Sequence, residues 1–389
     1  MADLADIAAV ETETADVVII GGGPVGSALV LALQRTGWRI VLLEARTAAT
    51  IDARPLALSY GTRLILERLG VWPALAVKAT PIRHIHVSQQ GGFGRAGLEA
   101  AEAGLPELGY VIDYAALARE LARATTEASA ADCRMGARVA AWHGGDPARV
   151  AYEMAGVQRT LTASLVVVAD GSGVADADTV DYQQCAVTAR VVSERPHNNT
   201  AYERFTPHGP LALLPDGTGW GLVWTTSPTR AKVLCELDAR QFLDQLRAEF
   251  GSRVGDFTAV SGRASYPLRL RRAPRASPDH TVLIGNAAQT LHPVAGQGFN
   301  LGLRDAWELA EHALNDAAAP GSAAWLKAYH ARRDIDRGGG IGMTHALVQL
   351  FSNDLPPLRI ARGLGLTLLG CVPPLKNFLV RRMTFGARG

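Results

Sequence analysis

Asp16-Val-Val-Ile-Ile-Gly21-Gly-Gly-Pro-Val-Gly26 is the stretch that decides the fold. A β-branched run this short and this apolar reads as a parallel strand buried on both faces. Gly21, Gly23 and Gly26 follow it, and Ser27–Thr36 then reads as a helix closed by Gly37. The first glycine makes a tight turn, the second lets a pyrophosphate approach the backbone, and the third lets the helix settle on the strand. Trp38–Glu44 reads as a second strand. Glu44 ends it about 20 residues after the glycines, where an acid meets ribose hydroxyls. The unit is expected to bind a dinucleotide; by itself it does not separate NAD from FAD.

Outward from this unit the chain runs to 389 residues, a length that suits two domains or one large α/β unit with an insertion. Hydrophobic residues make up 48% and charged residues 20%, which excludes disorder, coiled coil and collagen. The net charge of +2 gives no basic field for nucleic acid. Cys133, Cys185, Cys235 and Cys371 are scattered, with no CxxC, so a metal knuckle or disulfide framework is not expected and a reducing cytoplasm fits. Val17–Leu33 is apolar, but acidic residues precede it and glycines interrupt it, so it is no signal peptide. His84 and His86 would share a strand face without a third metal ligand.

Further along, residues 54–70 read as a helix, Ile82–Ser88 as a strand and Tyr114–Ala128 as a helix. Val139–Trp142, Val150–Met154 and Leu161–Asp170 read as strands, the last ending at Asp170-Gly171. From 180 to 275 the texture turns antiparallel, with alternating runs at Cys185–Val192, Gly219–Thr226 and Lys232–Leu237. Thr281–Gly285 returns to a buried parallel strand, followed by a helix over Phe299–Asn315. The expected fold class is α/β: a Rossmann-like parallel sheet with helices, interrupted by a mostly antiparallel substrate sheet, with a helical tail. The expected segments are an acidic extension (1–15), dinucleotide domain (16–80, 111–179, 276–350), substrate domain (81–110, 180–275) and basic, apolar tail (351–389).

Two later segments separate FAD from NAD. One is Asp170-Gly171; the other runs from Gly285-Asn-Ala-Ala-Gln-Thr-Leu-His-Pro293 through Gly296-Gln-Gly-Phe-Asn300 to Asp305. The second places a helix N-terminus, with free N–H groups at Gln297, Gly298 and Phe299, where a reduced flavin would carry negative charge. An ordinary NAD dehydrogenase has no need of such a loop. Together the three segments resemble the FAD-dependent aromatic hydroxylases, or group A flavoprotein monooxygenases. Ala53–Ser59, Tyr202–Pro215, Tyr266-Pro-Leu268 and the 285–293 segment resemble the ubiquinone-biosynthesis branch, the 2-polyprenyl-6-methoxyphenol hydroxylases in particular. The resemblance spans Asp16 to Leu379. It departs at Asn286, where the wider family has an acid, and at 172–175, where an arginine is missing.

The resemblance implies non-covalent FAD, reduced by NADH or NADPH as a transient partner, and oxygen added at flavin C4a as a hydroperoxide. It implies hydroxylation of a lipid-tailed phenol, by a protein peripheral to the inner face of a membrane or in contact with a quinone-pathway assembly. A small soluble aromatic substrate, or a non-catalytic FAD-binding role in such an assembly, are the alternatives. In the implied site Gly21, Gly23, Gly26 and Glu44 hold ADP, and Arg54, Asp170, Gly285 and Asn286 hold the pyrophosphate or ribityl region. Pro293, Gly296, Gln297, Gly298 and Asn300 lie along the flavin, and His292 with Pro293 faces flavin and substrate, where His292 either helps to take a phenol proton or caps a turn. Trp220 and Trp224 line a pocket or fill a core. Arg269, Arg271, Arg272 and Arg275 form a solvated cluster or a nicotinamide-nucleotide dock. Residues 355–389 carry six basic residues and no acid. Packing is expected for 355–372, and membrane or partner contact for 376–389.

Overall fold

The computed structural model describes residues 12–48, 52, 54–128, 131–171, 177–274, 278–292, 296–351 and 356–386. Pro293, Arg275, Arg388 and the 172–175 segment lie outside the described residues. The opening strand, Thr12–Ile20, is the centre of the first sheet. It pairs in parallel with Ile40–Glu44 on one side and Val157–Val168 on the other. Ala131–Met135 extends the sheet beyond Ile40–Glu44, and Thr281–Leu283 pairs with the C-terminal half of Val157–Val168, all in parallel. Ala148–Met154 and Arg138–His143 add an antiparallel margin. The strand begins within the expected acidic extension, because Thr12 and Thr14 take up the ladder and Glu13 ion-pairs with Arg134.

One face of this sheet packs Val17, Ile19 and Leu42 against the helices Pro24–Leu33 and Gln297–Asn315, and against Trp325 and Tyr329. The other packs Val18, Ile20 and Leu43 against Val150 and Tyr152. A second, mixed sheet of eight strands runs in the order Gln289–Thr290, Phe257–Arg272, Asp178–Ser193, Gly219–Thr226, Gly209–Asp216, Thr200–Thr206, His84–Gln89 and Arg95–Glu99. Its outer face carries Trp220, Trp224, Leu211, Leu213 and Val187 under the helices Pro228–Glu236 and Ala239–Phe250. Both tryptophans are therefore core, not pocket lining: Trp220 is 2% exposed and Trp224 fully buried.

Two local expectations are corrected. Residues 54–70 are not one helix: Pro55–Ser59 pairs antiparallel with Gly109–Asp113, and the helix is Tyr60–Arg68, capped by the Ser59 side chain. Lys232–Leu237 is not a strand. It closes the helix Pro228–Glu236, whose N-cap Ser227 accepts from the Arg230 N–H and whose first residue is proline. The tail forms Pro356–Cys371 and Pro373–Phe385, bent by 95° at the junction. No single described helix is long and apolar enough to cross a membrane.

Gly363 and Gly370 explain the glycine content of the first tail helix. A Cβ at Gly363 would stand 2.8 Å from the Phe93 carbonyl oxygen, and one at Gly370 would stand 3.1 Å from the Arg95 carbonyl oxygen, so the two glycines let this helix lie close on the sheet edge. The second tail helix packs more closely than expected. Lys376 ion-pairs with Glu102 at 2.7 Å, Val380 and Thr384 are buried, and Arg382 donates to the Ile335 carbonyl.

Candidate active site

The glycine turn has a different constraint at each position. Gly21 has φ +103°, and a Cβ there would lie 2.5 Å from the Asp170 Cα. A Cβ on Gly26 would lie 2.0 Å from the Gly21 carbonyl oxygen, so this glycine sets how closely the helix crosses the strand. Gly23 is the opposite case: a Cβ there meets nothing within 4 Å. The space beside it is the mouth of a cavity of about 1000 Å³. Gly23 is the N-cap of the helix Pro24–Leu33 and supplies no side-chain cap. The N–H groups of the first turn are thus left to a ligand, which is what a pyrophosphate requires.

Glu44 is buried, and its Oε2 accepts the Gly22 N–H at 2.7 Å. Burial opposes its ionisation, but the hydrogen bonds and charge of Arg46, with the Gly22 N–H, hold its carboxyl below the usual range. The acid therefore fixes the turn as well as lining the cavity. Arg54 is brought to the same cavity from a distant loop. Its guanidinium lies 4.6 Å from the Tyr114 ring centre and 5.7 Å from that of Tyr266. Asp170, Gly171, Gly285 and Asn286 complete this end, with Asn286 exposed to the cavity. Gly296 and Gly298 also line it, and Gly296 caps the helix Gln297–Asn315 with φ +60°.

The 285–289 loop is held by a residue to which the sequence reading assigned no role. Asp305 Oδ2 accepts from the Gly285 N–H at 3.1 Å and from Gln289 Nε2 at 2.7 Å. Asp305 Oδ1 accepts from Arg333 Nη2 at 2.6 Å, and Arg333 also pairs with Glu308 and Asp336. The network is buried, with Arg333 fully inaccessible. Asp305 stands a little over two turns along the helix that the loop enters. Its signal in the sequence was a charged residue on the buried side of the helix, beside Leu301 and Leu309.

Two expected site residues are corrected. Asn300 is a structural pin. Its Oδ1 accepts from the Ser59 N–H and the Thr62 hydroxyl, and its Nδ2 donates to the Ala57 and Gly296 carbonyls, which leaves no capacity for a ligand. His292 does not line the cavity; it is fully buried, edge-on to Tyr182 at 5.3 Å. Burial pushes its pKa down to about 4, so the ring is neutral near pH 7. Gln297 borders a smaller recess beside Ser59 and Val380. Among the described residues no three His, Cys, Asp or Glu side chains are grouped to hold a metal. Arg269 and Arg272 pair with Asp181 and Asp178 at the surface.

Beyond the glycine end the cavity runs under the inner face of the eight-stranded sheet. There it is lined by Ala186, Thr188, Val223, Ala212 and Val87, and Glu203 interrupts this largely apolar row. Its far end is closed by Leu366, Leu369, Leu379 and Met383 of the tail helices. The cavity thus joins a helix start without a side-chain cap to a long apolar channel.

The family described as FAD binding domain matches residues 14–335. Ubiquinone hydroxylase UbiL of Rhodospirillum rubrum is 35% identical over 391 residues, covering 95% of this chain and 89% of that protein. The 3-demethoxyubiquinol 3-hydroxylase of Escherichia coli strain K12 is 32% identical, covering 90% of this chain and 93% of the relative. The crystal structure of p-nitrophenol 4-monooxygenase PnpA from Pseudomonas putida DLL-E4 superposes with a TM-score of 0.77 over 97% of this chain and 100% of that one. At 19% identity this last likeness is one of fold.

Proposed function

The chain belongs to the ubiquinone-biosynthesis branch of the FAD-dependent aromatic hydroxylases, and from that premise we propose that it hydroxylates a lipid-tailed phenol using NADH or NADPH and O₂. The observation that carries the reading is the single cavity that begins at the glycine turn and ends among tail-helix leucines. Its first part suits FAD: an open space at Gly23, uncapped N–H groups, an arginine at the mouth, and an amide at Asn286 for a ribityl hydroxyl. Bound and reduced FAD supplies the activated oxygen. The protein holds the pyrophosphate at the helix start and places Gly296 and Gly298 along the flavin. The sheet covers the ring of the substrate with small apolar side chains that keep water out.

The second part suits a prenyl chain. Leu366, Leu369, Leu379 and Met383 of the two tail helices line it with apolar side chains. The outer surface of those helices exposes Ile360 (54%), Leu364 (60%), Leu368 (55%) and Phe378 (66%), with Arg359 and Arg381 also exposed. A phenol with a polyprenyl tail resides in a bilayer. We therefore read this face as a peripheral contact with the inner, anionic leaflet, the arginines at the headgroups and the apolar stripe at the acyl boundary.

The test is to incubate purified, FAD-loaded protein with NAD(P)H, O₂ and a prenylated phenol. Hydroxylated product and phenol-stimulated NAD(P)H oxidation are expected. Release of no FAD on denaturation, or NAD(P)H oxidation indifferent to the phenol, would sink the reading.

A further inference from the structure

The inner face of the large sheet is built to be apolar, with one exception. In the strand Thr200–Thr206, Tyr202 turns to the outer core, where it meets Trp220 and Phe250. Alternation then places Ala201, Glu203 and Phe205 on the cavity face, and all three line it. The register sets Glu203 opposite Val87 on one side and Ala212 on the other, with Val223 and Thr188 continuing the row. None of these can neutralise a carboxylate. The charged groups of the neighbouring strands lie elsewhere: the His86 ring lies tilted against Tyr202 on the outer face, and Arg204 donates to the Glu249 carbonyl there. The tail helices present leucines to the cavity from the other side.

A carboxylate among apolar side chains with no cation is costly, and folds avoid it unless something else uses it. Glu203 is half-buried, and it lines the cavity. Among the described residues no hydrogen-bond or ion-pair partner is seen for it. The shape that remains beside it is the channel in which the substrate ring and the first part of its tail must lie.

We propose that Glu203 is a catalytic residue of this enzyme, whose carboxylate accepts the proton of the substrate's ring hydroxyl. The inference rests on the phenol hydroxylation proposed above. The proton passes from the hydroxyl to a carboxylate oxygen, and the O–H electron pair stays on the substrate. The site keeps one negative charge throughout, moved from the carboxylate onto the phenolate ring, whose ortho and para carbons become better nucleophiles. Burial pushes the Glu203 carboxyl up to about 7. That makes it a far stronger base than an exposed glutamate while leaving it substantially ionised at neutral pH, which is where a general base works best. The role expected of His292 falls to this residue, because His292 is away from the cavity and Glu203 is in it.

The experiment compares wild type, Glu203→Gln and Glu203→Asp as FAD-loaded enzymes. Glutamine keeps the shape and a carbonyl acceptor but cannot take a proton. In Glu203→Gln, FAD content and flavin reduction by NAD(P)H should match wild type, and phenol binding should stay within about threefold. Hydroxylation should fall by roughly 10²- to 10³-fold, with NAD(P)H oxidation diverted to hydrogen peroxide. A ring-fluorinated phenol that is already ionised in water at the assay pH should recover at least about tenfold of that loss, since it brings no proton to remove. Glu203→Asp should retain intermediate activity, and it carries the test if Glu203→Gln fails to load FAD. Wild-type coupling in Glu203→Gln, equal losses for the fluorinated and ordinary phenols, or a Glu203→Asp variant no better than Glu203→Gln would each overturn the assignment. Failure of wild type itself to turn over a phenol would instead refute the functional reading.

Discussion

Gly23 and Gly26 lie in one turn, yet substituting them should produce different failures. Gly23 has φ −66° and ψ 175°, extended backbone that valine adopts readily, and no neighbour within 4 Å of a built Cβ. Gly23→Val should therefore change the stability of the FAD-free protein by no more than about 1 kcal/mol. Its side chain would instead stand between the pyrophosphate and the N–H groups of the first helical turn. Losing two charge-assisted hydrogen bonds costs about 3–6 kcal/mol, or roughly 10²- to 10⁴-fold in Kd. Gly26→Ala places a methyl group 2.0 Å from the Gly21 carbonyl oxygen, which the helix can relieve only by lifting off the strand. That variant should lose stability and FAD together. Thermal unfolding of the stripped proteins and FAD titration by flavin fluorescence separate the two effects. A Gly23→Val protein that binds FAD like wild type, or one that melts as early as Gly26→Ala, would refute this account of the turn.

Asn286→Leu should weaken FAD binding by roughly tenfold to a hundredfold while Asn286→Asp keeps it, because a ribityl hydroxyl needs an acceptor there; equal titration curves for wild type and the leucine variant would remove Asn286 from the cofactor site. His292, with its pKa down at about 4, stays neutral in the folded protein while the unfolded chain binds a proton below about pH 6.5. Stability should thus fall by up to roughly 3 kcal/mol between pH 6.5 and 4 on its account, and His292→Leu should flatten that part of the urea-midpoint profile, leaving the share due to His86 and His330, which burial also lowers. Replacing Leu364, Leu368 and Phe378 with serine and Arg359 and Arg381 with glutamine should abolish salt-sensitive binding to anionic vesicles and lower turnover of a long-chain phenol while sparing a short-chain one; unchanged vesicle binding would make the tail purely structural.

The opening unit was legible because its constraints are local. Gly21 needs its positive φ, Gly26 needs its missing Cβ, and both follow a β-branched run that has few other uses. Where competing local signals met, the capping signal won over alternation. Lys232–Leu237 alternates in polarity, but Ser227-Pro228 before it starts a helix, and Asp238 with Gln241 after it forms a capping box that starts the next. Pro55–Ser59 was illegible for the opposite reason. Its strand conformation is set by Gly109–Asp113, more than fifty residues away, and the helical pattern of Tyr60–Arg68 ran backwards over it.

For the site, residue type was legible and direction was not. Asn300, His292 and Asp305 occupy one motif, and any of the three has the atoms to touch a cofactor. Asn300 spends all its hydrogen bonds on Ser59, Thr62, Ala57 and Gly296, and Asp305 faces Arg333, both of which depend on chain segments far from the motif. Their task is to hold the loop so that Asn286, exposed at its start, meets the cavity. Glu203 shows the converse. Its strand reads Thr200-Ala-Tyr-Glu-Arg-Phe-Thr206, and parity alone puts Glu203 on the same face as Ala201 and Phe205. Whether that face meets water or a channel depends on the tail helices, which arrive some 160 residues later and close the far end with Leu366 and Leu369. Glu203 is thus a base in an apolar channel to whose walls the tail helices contribute.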